Sequence, residues 1–178
     1  MKNEIYEYLI NYGFSKENLD RFEELNEDMY FVSLDKVKEN INFFAGKGLN
    51  NKEIISLANT NPFILTLSLK RKNAFDEIYI NKLNLSNEQI KYLVNNNSNI
   101  YTCSPLEFDK IIDYLNKNYS IDNIKPIILN NPNIINKKID EIDTSSPEMI
   151  STSKYFRLRA EFLGCRITKS FFIVRFIL

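Results

Sequence analysis

The chain is 178 residues long and carries 23 basic and 23 acidic residues, a formal net charge of zero. That length holds one domain or one short repeat array, and the charge balance excludes both a uniformly basic nucleic-acid coat and an acidic solvating tail. Hydrophobic residues make up 44% and charged residues 26%, proportions of a folded soluble chain rather than a disordered one.

From its N-terminus the chain reads as a first helix, with acids among its apolar residues and no apolar stretch of the signal-peptide kind. Leu9 and Ile10 mark its apolar face, and Gly13 is placed to end it in the left-handed conformation. Phe14 follows as an apolar plug, and Ser15 stands ready to cap a second helix whose core face is Leu19 and Phe22. Asn26 is a second stop, after which Glu27, the apolar pair Met29-Tyr30 and Ser33 close the unit.

The pattern then restarts three times. Taking Phe14, Leu49, Leu85 and Tyr119 as anchors, the intervals are 35, 36 and 34 residues. The second unit has Phe43-Phe44, Gly48, Leu49 and Asn50 with Glu53 three residues on. Its second helix presents Ile54 and Leu57, then come Asn61-Pro62, Ile64-Leu65 and Ser68. The third has Tyr79-Ile80, Asn84, Leu85 and the capping-box pair Ser86 and Gln89. Ile90 and Leu93, Asn97-Ser98, Ile100-Tyr101 and Ser104 complete it. The fourth has Tyr114-Leu115, Asn118, Tyr119, Ser120, Ile124 and Ile127, Asn131-Pro132, Ile134-Ile135 and Lys138. Leu9, Phe44, Ile80 and Tyr114, each five residues before its anchor, are the expected core positions of the four first helices. Gly or Asn before each anchor predicts a left-handed turn in all four units, and proline after the second stop predicts a short helix starting there.

Residues 1–138 are thus expected to form an all-α solenoid of about four helix-turn-helix repeats of about 35 residues, each followed by a short helical turn. Residues 139–154, with Ser145-Ser146-Pro147 and Ser151-Thr152-Ser153, read as a connector. Residues 155–178 read as a partial fifth repeat or a C-terminal capping helix built on Phe171, Phe172, Ile173, Phe176 and Ile177, the alternative being an aberrant apolar end. That last apolar run is far too short to span a bilayer.

The unit Gly48-Leu49-Asn50-Asn51-Lys52-Glu53-Ile54-Ile55, with Asn61-Pro62-Phe63-Ile64-Leu65 and Ser68 after it, resembles the repeat of the mitochondrial transcription termination factor (mTERF) family. So does Asn118-Tyr119-Ser120 with Ile124 and Asn131-Pro132-Asn133-Ile134-Ile135. The resemblance covers roughly residues 5–138, and Glu27 and Ser98 depart from it where the proline belongs. It implies a curved helical solenoid with a basic-lined surface that binds duplex DNA or RNA, acting in organellar transcription, translation or ribosome assembly.

Function lives in the site rather than the fold, and the charges are unevenly spread. Residues 1–35 hold three basic and nine acidic residues, a balance of −6, whereas 36–75 and 151–178 each stand at +5. Lys36 and Lys72 share one repeat position, thirteen residues before their anchors, with Lys38, Lys70 and Arg71 beside them. Together with Lys137, Lys138, Arg157 and Arg159 they are the candidate phosphate ladder. Glu17, Asp20, Glu23, Glu24, Glu27 and Asp28 form an acidic first repeat that repels phosphate and suits a basic protein partner.

No enzyme is expected. The chain has no His, which removes Ser-His-Asp and Cys-His nucleophile systems and His-ligated metals, and 4 Gly leave little for a phosphate loop. Glu23-Glu24 and Asp140-Glu141 are adjacent carboxylates with nothing to shift their acidity. Cys103 and Cys165 sit in no metal or redox spacing and point to a reducing, cytoplasmic setting, with Cys103 filling space. Tyr101, Tyr114 and Tyr119 fall in apolar register and are expected in the core, and Asn59, Asn61, Asn95, Asn96 and Asn97 at helix ends. The sequence therefore points to a cofactor-free macromolecule binder, with nucleic acid as first partner and a protein scaffold, adaptor or nucleoprotein inhibitor as the alternative. Neither a membrane nor a small-molecule substrate is expected.

Overall fold

The computed structural model describes residues 2–142. The end of the connector and the proposed fifth repeat or capping helix, with Arg157, Arg159 and Cys165, lie outside them. Among the described residues there are eight α-helices and no strand: α1 (Asn3–Tyr12), α2 (Lys16–Leu25), α3 (Leu34–Gly46), α4 (Asn51–Thr60), α5 (Leu69–Asp76), α6 (Asn87–Asn96), α7 (Pro105–Asn116) and α8 (Ile121–Asn130). They fall into two compact units, one ending at Pro105 and one starting at Leu106.

In the first unit the repeat pattern is realised bond by bond. Ser15, Asn50 and Ser86 each accept, through the side chain, the amide three residues on; Asn50–Glu53 and Ser86–Gln89 are full capping boxes. Gly13, Gly48 and Asn84 all have positive φ, at 118°, 89° and 49°. Phe14, Leu49 and Leu85 are buried, as are Leu19, Phe22, Ile54, Leu57, Ile90 and Leu93 on the second helices. Each such side chain is worth about 1.5–3 kcal/mol of burial, which no single repeat could secure alone. The short helices Glu27–Tyr30 and Pro62–Thr66 are 3-10 turns. The third repeat has an unassigned turn at 98–102 instead. Glu27 starts its turn as well as Pro62 does, so proline favours the short helix without being required.

The unequal repeat intervals have a structural origin. α5 continues into a π-helical turn, Glu77–Lys82, which inserts one residue. The amides of Phe14 and Leu49 bond back five residues, to the carbonyls of Leu9 and Phe44, but that of Leu85 bonds back six, to Tyr79. The core residue of the third repeat's first helix is therefore Tyr79, fully buried, and the expected Ile80 is 39% exposed.

The second unit contains α7 and α8, followed by the short helices Pro132–Asn136 and Ile139–Glu141. Here the Tyr119 amide reaches back only four residues, to Leu115. The turn then needs no left-handed residue, so Asn118, contrary to expectation, does not adopt one. Leu115 takes the core place expected of Tyr114, and Tyr114 and Tyr119 are half-buried. Ser120 makes no side-chain cap, while Ile124, Ile127, Ile134 and Ile135 are buried as expected.

Candidate nucleic-acid interface

The basic residues of α3 and α5 sit at the helix starts, where Ser33 and Ser68 cap with their hydroxyls. Ser33 accepts the Lys36 amide at 3.3 Å, and Ser68 accepts the Arg71 amide at 3.2 Å. The structural counterpart of Lys36 is therefore Arg71, not Lys72. Counting back from the anchor overshoots by the one residue that the π turn inserts. Lys72 instead takes the place that Val37 has in α3, facing inward, and is only 5% exposed. Its membership of a phosphate ladder is thereby corrected.

Lys72 is accommodated by a buried polar network. Its Nζ donates to Asn40 Oδ1 at 2.9 Å, and Asn40 Nδ2 donates to the Leu65 carbonyl at 2.8 Å. Burial holds the Lys72 pKa below the ordinary lysine range, and nearby Lys36 adds to the effect. One turn further along α5, Asp76 occupies the counterpart of Ile41. It pairs with Lys47 at 2.9 Å and accepts the Tyr101 hydroxyl at 3.0 Å. Lys47 and Lys72 both lie over the Phe43 ring, at 5.1 and 5.3 Å from its centroid. Lys47, Lys72 and Asp76 join the first helices of two adjacent repeats, a structural role rather than a ligand-binding one. The only signal in the sequence is a break in the apolar stripe of α5, legible once the π turn is known.

The other candidates are divided. Lys70 is exposed. Lys36 is half-buried and paired with Glu39 at 3.0 Å, a partly solvated contact worth little. Arg71 turns its guanidinium to the Thr102 carbonyl at 3.2 Å. Lys38 leans the other way, 5.4 Å over the Tyr8 ring of α1. Lys137 and Lys138 are exposed in the second unit. Among the acids, Glu17, Asp20, Glu24, Glu27 and Asp28 are exposed, and half-buried Glu23 accepts from the Tyr30 hydroxyl at 3.3 Å. Tyr101 is buried as expected, and Asn61 and Asn97 cap helix ends as expected. Cys103 is half-buried, and burial pushes its thiol pKa up to about 11.

The charge at the start of α5 sets it apart. Each of the other seven α-helices among the described residues has an acid in its first turn, where it complements the positive end of the helix dipole. α5 has none there and begins Leu69-Lys70-Arg71. Such an end attracts anions.

The mTERF family model matches residues 1–154, which include all the capped helix-turn-helix repeats described above. The chain belongs to the mTERF family. Family members are helical-repeat proteins associated with nucleic-acid binding and have no chemistry of their own. No curated protein matches the chain. Among the described residues, no helix is long and apolar enough to cross a membrane, and no group of three or more acids and cysteines is placed to hold a metal ion.

Proposed function

We propose that this mTERF-family chain binds duplex nucleic acid, and that the helix starts of α3 and α5 contact phosphate through Lys36, Lys70 and Arg71. The observation that carries the reading is the first turn of α5, where cations face the positive end of the dipole and no acid offsets them. That arrangement costs a fraction of a kcal/mol in the free protein and becomes favourable when a phosphate sits between them. Lys38 flanks the same helix start in α3, whereas Lys72 serves the interior. Lys137 and Lys138 are exposed and free to add contacts of the same kind. The acidic first repeat takes no part, since its carboxylates repel phosphate.

The test is fluorescence anisotropy with mixed-sequence duplex RNA and duplex DNA over a salt series. Phosphate-driven binding weakens steeply as salt rises from about 50 to about 200 mM. Replacing Lys36 and Lys70 together by Gln is expected to lower affinity about tenfold and to flatten the salt dependence by about two counterions. Absence of binding to either duplex at about 50 mM salt overturns the reading.

A further inference from the structure

In the first unit, contacts with the preceding repeat are made from the positions sixteen and seventeen residues after the anchor. At the first of them Leu65, Tyr101 and Ile135 are buried. Tyr101 packs edge-on against Phe43 and Phe44 of the repeat before it, with ring centroids at 5.2 and 5.5 Å. At the second, Thr66 accepts an amide proton from Asn26 at 3.2 Å and Thr102 accepts one from Asn61 at 2.7 Å, again from the preceding repeat. In the first repeat these two positions hold Tyr30, 47% exposed, and Phe31, 83% exposed. The first repeat thus presents two exposed aromatic side chains at the places that hold Leu65-Thr66 and Tyr101-Thr102 in the next two repeats.

The chemistry of this edge selects its occupant. A phenyl ring offers no oxygen to an incoming Asn, so the edge is not built to receive another repeat of the same kind. Across residues 16–31 there are six acids and two bases. Glu23 accepts the Tyr30 hydroxyl at 3.3 Å, and the charge of Glu23, with smaller contributions from Glu24 and Glu27, holds the phenol pKa above its usual value. A nucleic acid is repelled from these carboxylates, and an uncharged apolar surface leaves the acids unanswered.

We propose that the exposed pair Tyr30 and Phe31 of the first repeat, with the carboxylates of Glu23, Glu24, Glu27 and Asp28 that precede it in the chain, docks a basic segment of a partner protein that carries an apolar anchor. The anchor covers Phe31, and lysine or arginine side chains meet the carboxylates. The proposal does not depend on the reading of Lys36, Lys70 and Arg71 as phosphate contacts.

The experiment uses the full chain and a labelled amphipathic peptide of Lys and Leu at helical spacing, with Glu–Leu and Lys–Ser peptides as controls. The Lys–Leu peptide is expected to bind and both controls to bind at least about tenfold more weakly. Phe31→Ser is expected to weaken the Lys–Leu peptide about tenfold, and Glu24→Gln with Glu27→Gln to weaken it about threefold and reduce its salt dependence. Phe31 is exposed, so the variant should melt as wild type does, and its binding to duplex RNA should be unchanged. Equal binding of the Lys–Ser peptide, or an unchanged affinity in Phe31→Ser, overturns the proposal. So does a self-associated wild-type chain that Phe31→Ser disperses, which would assign the edge to a second copy.

Discussion

Asn61 Nδ2 stands 2.7 Å from Thr102 Oγ1, and one repeat earlier Asn26 Nδ2 stands 3.2 Å from Thr66 Oγ1. Asn61 also ends α4, receives the Phe63 amide on its oxygen, and shares its two amide protons among Thr102 Oγ1, the Ser98 carbonyl at 3.0 Å and Asn99 Oδ1 at 3.1 Å. A residue that reads as a helix stop is therefore also the fastener between one repeat and the next. Asn61→Ala removes each of these side-chain bonds at a part-buried junction between repeats. It is expected to cost about 2–4 kcal/mol by urea denaturation. Asn61→Asp keeps the shape but sets a carboxylate against three oxygens, and should cost at least as much. A loss below about 0.5 kcal/mol for Asn61→Ala would show that the fastener contributes nothing net.

The π turn makes a prediction about chain length. Deleting Ile80 removes the inserted residue. The Leu83 amide, now bonded to Ile78 five residues back, then closes an ordinary α turn, and the Leu85 amide reaches back five residues as in the first two repeats. The deletion is expected to cost no more than about 1 kcal/mol by urea titration. Deleting exposed Asn42 from α3 instead turns Val37 and Ile41 about 100° away from Phe44 and should cost more than about 4 kcal/mol. Similar losses for the two deletions would refute the account of the 36-residue interval.

Lys70 and Lys72 are two residues apart and are expected to fail in opposite assays. Lys70→Gln changes an exposed cation, so it should leave the melting temperature unchanged and weaken duplex binding a few-fold. Lys72→Met removes the partner of Asn40 Oδ1 from the interior. It should lower stability by about 1–3 kcal/mol while leaving duplex affinity unchanged. Equal losses of affinity in the two variants would return Lys72 to the surface.

Stability is expected to fall in alkali. Burial raises the pKa of Cys103 from 9.0 to about 11, and raises those of Tyr79 and Tyr101, the latter also through Asp76. Below pH 9 all three groups are protonated whether the chain is folded or not, and their contribution is fully present. Between pH 9 and 11 the unfolded thiol has lost its proton and the folded one has not, so stability drops by up to about 1.4 kcal/mol per pH unit for that group. The two tyrosines add to the slope above pH 10. Lys72, whose pKa is lowered, acts in the opposite sense as pH approaches 10.5. Urea unfolding at stepped pH should show the fall, and Cys103→Ala should remove the part between pH 9 and 11. A flat profile in the wild type over that range would contradict the assignment.

The sequence by itself determined the helix boundaries, because caps, left-handed stops and anchors act within a few residues. Ser15 and Asn18, and Asn50 and Glu53, bond to each other, and the amides of Gly13 and Phe14 bond back to Leu9, so their spacing carries the information. Only the tertiary structure decided which side of α5 faces inward. One inserted residue rotates a helix by about 100°, and whether it is absorbed as a π turn depends on what the neighbouring repeat offers. Here the neighbour offers Asn40 and Lys47, which is why Lys72 lies inside, Asp76 lies half-buried beside Lys47, and Ile80 lies outside. For the same reason the aromatic edge at Phe31 was invisible in the sequence: a position is exposed or covered according to which repeat packs against it, not according to its own residue type.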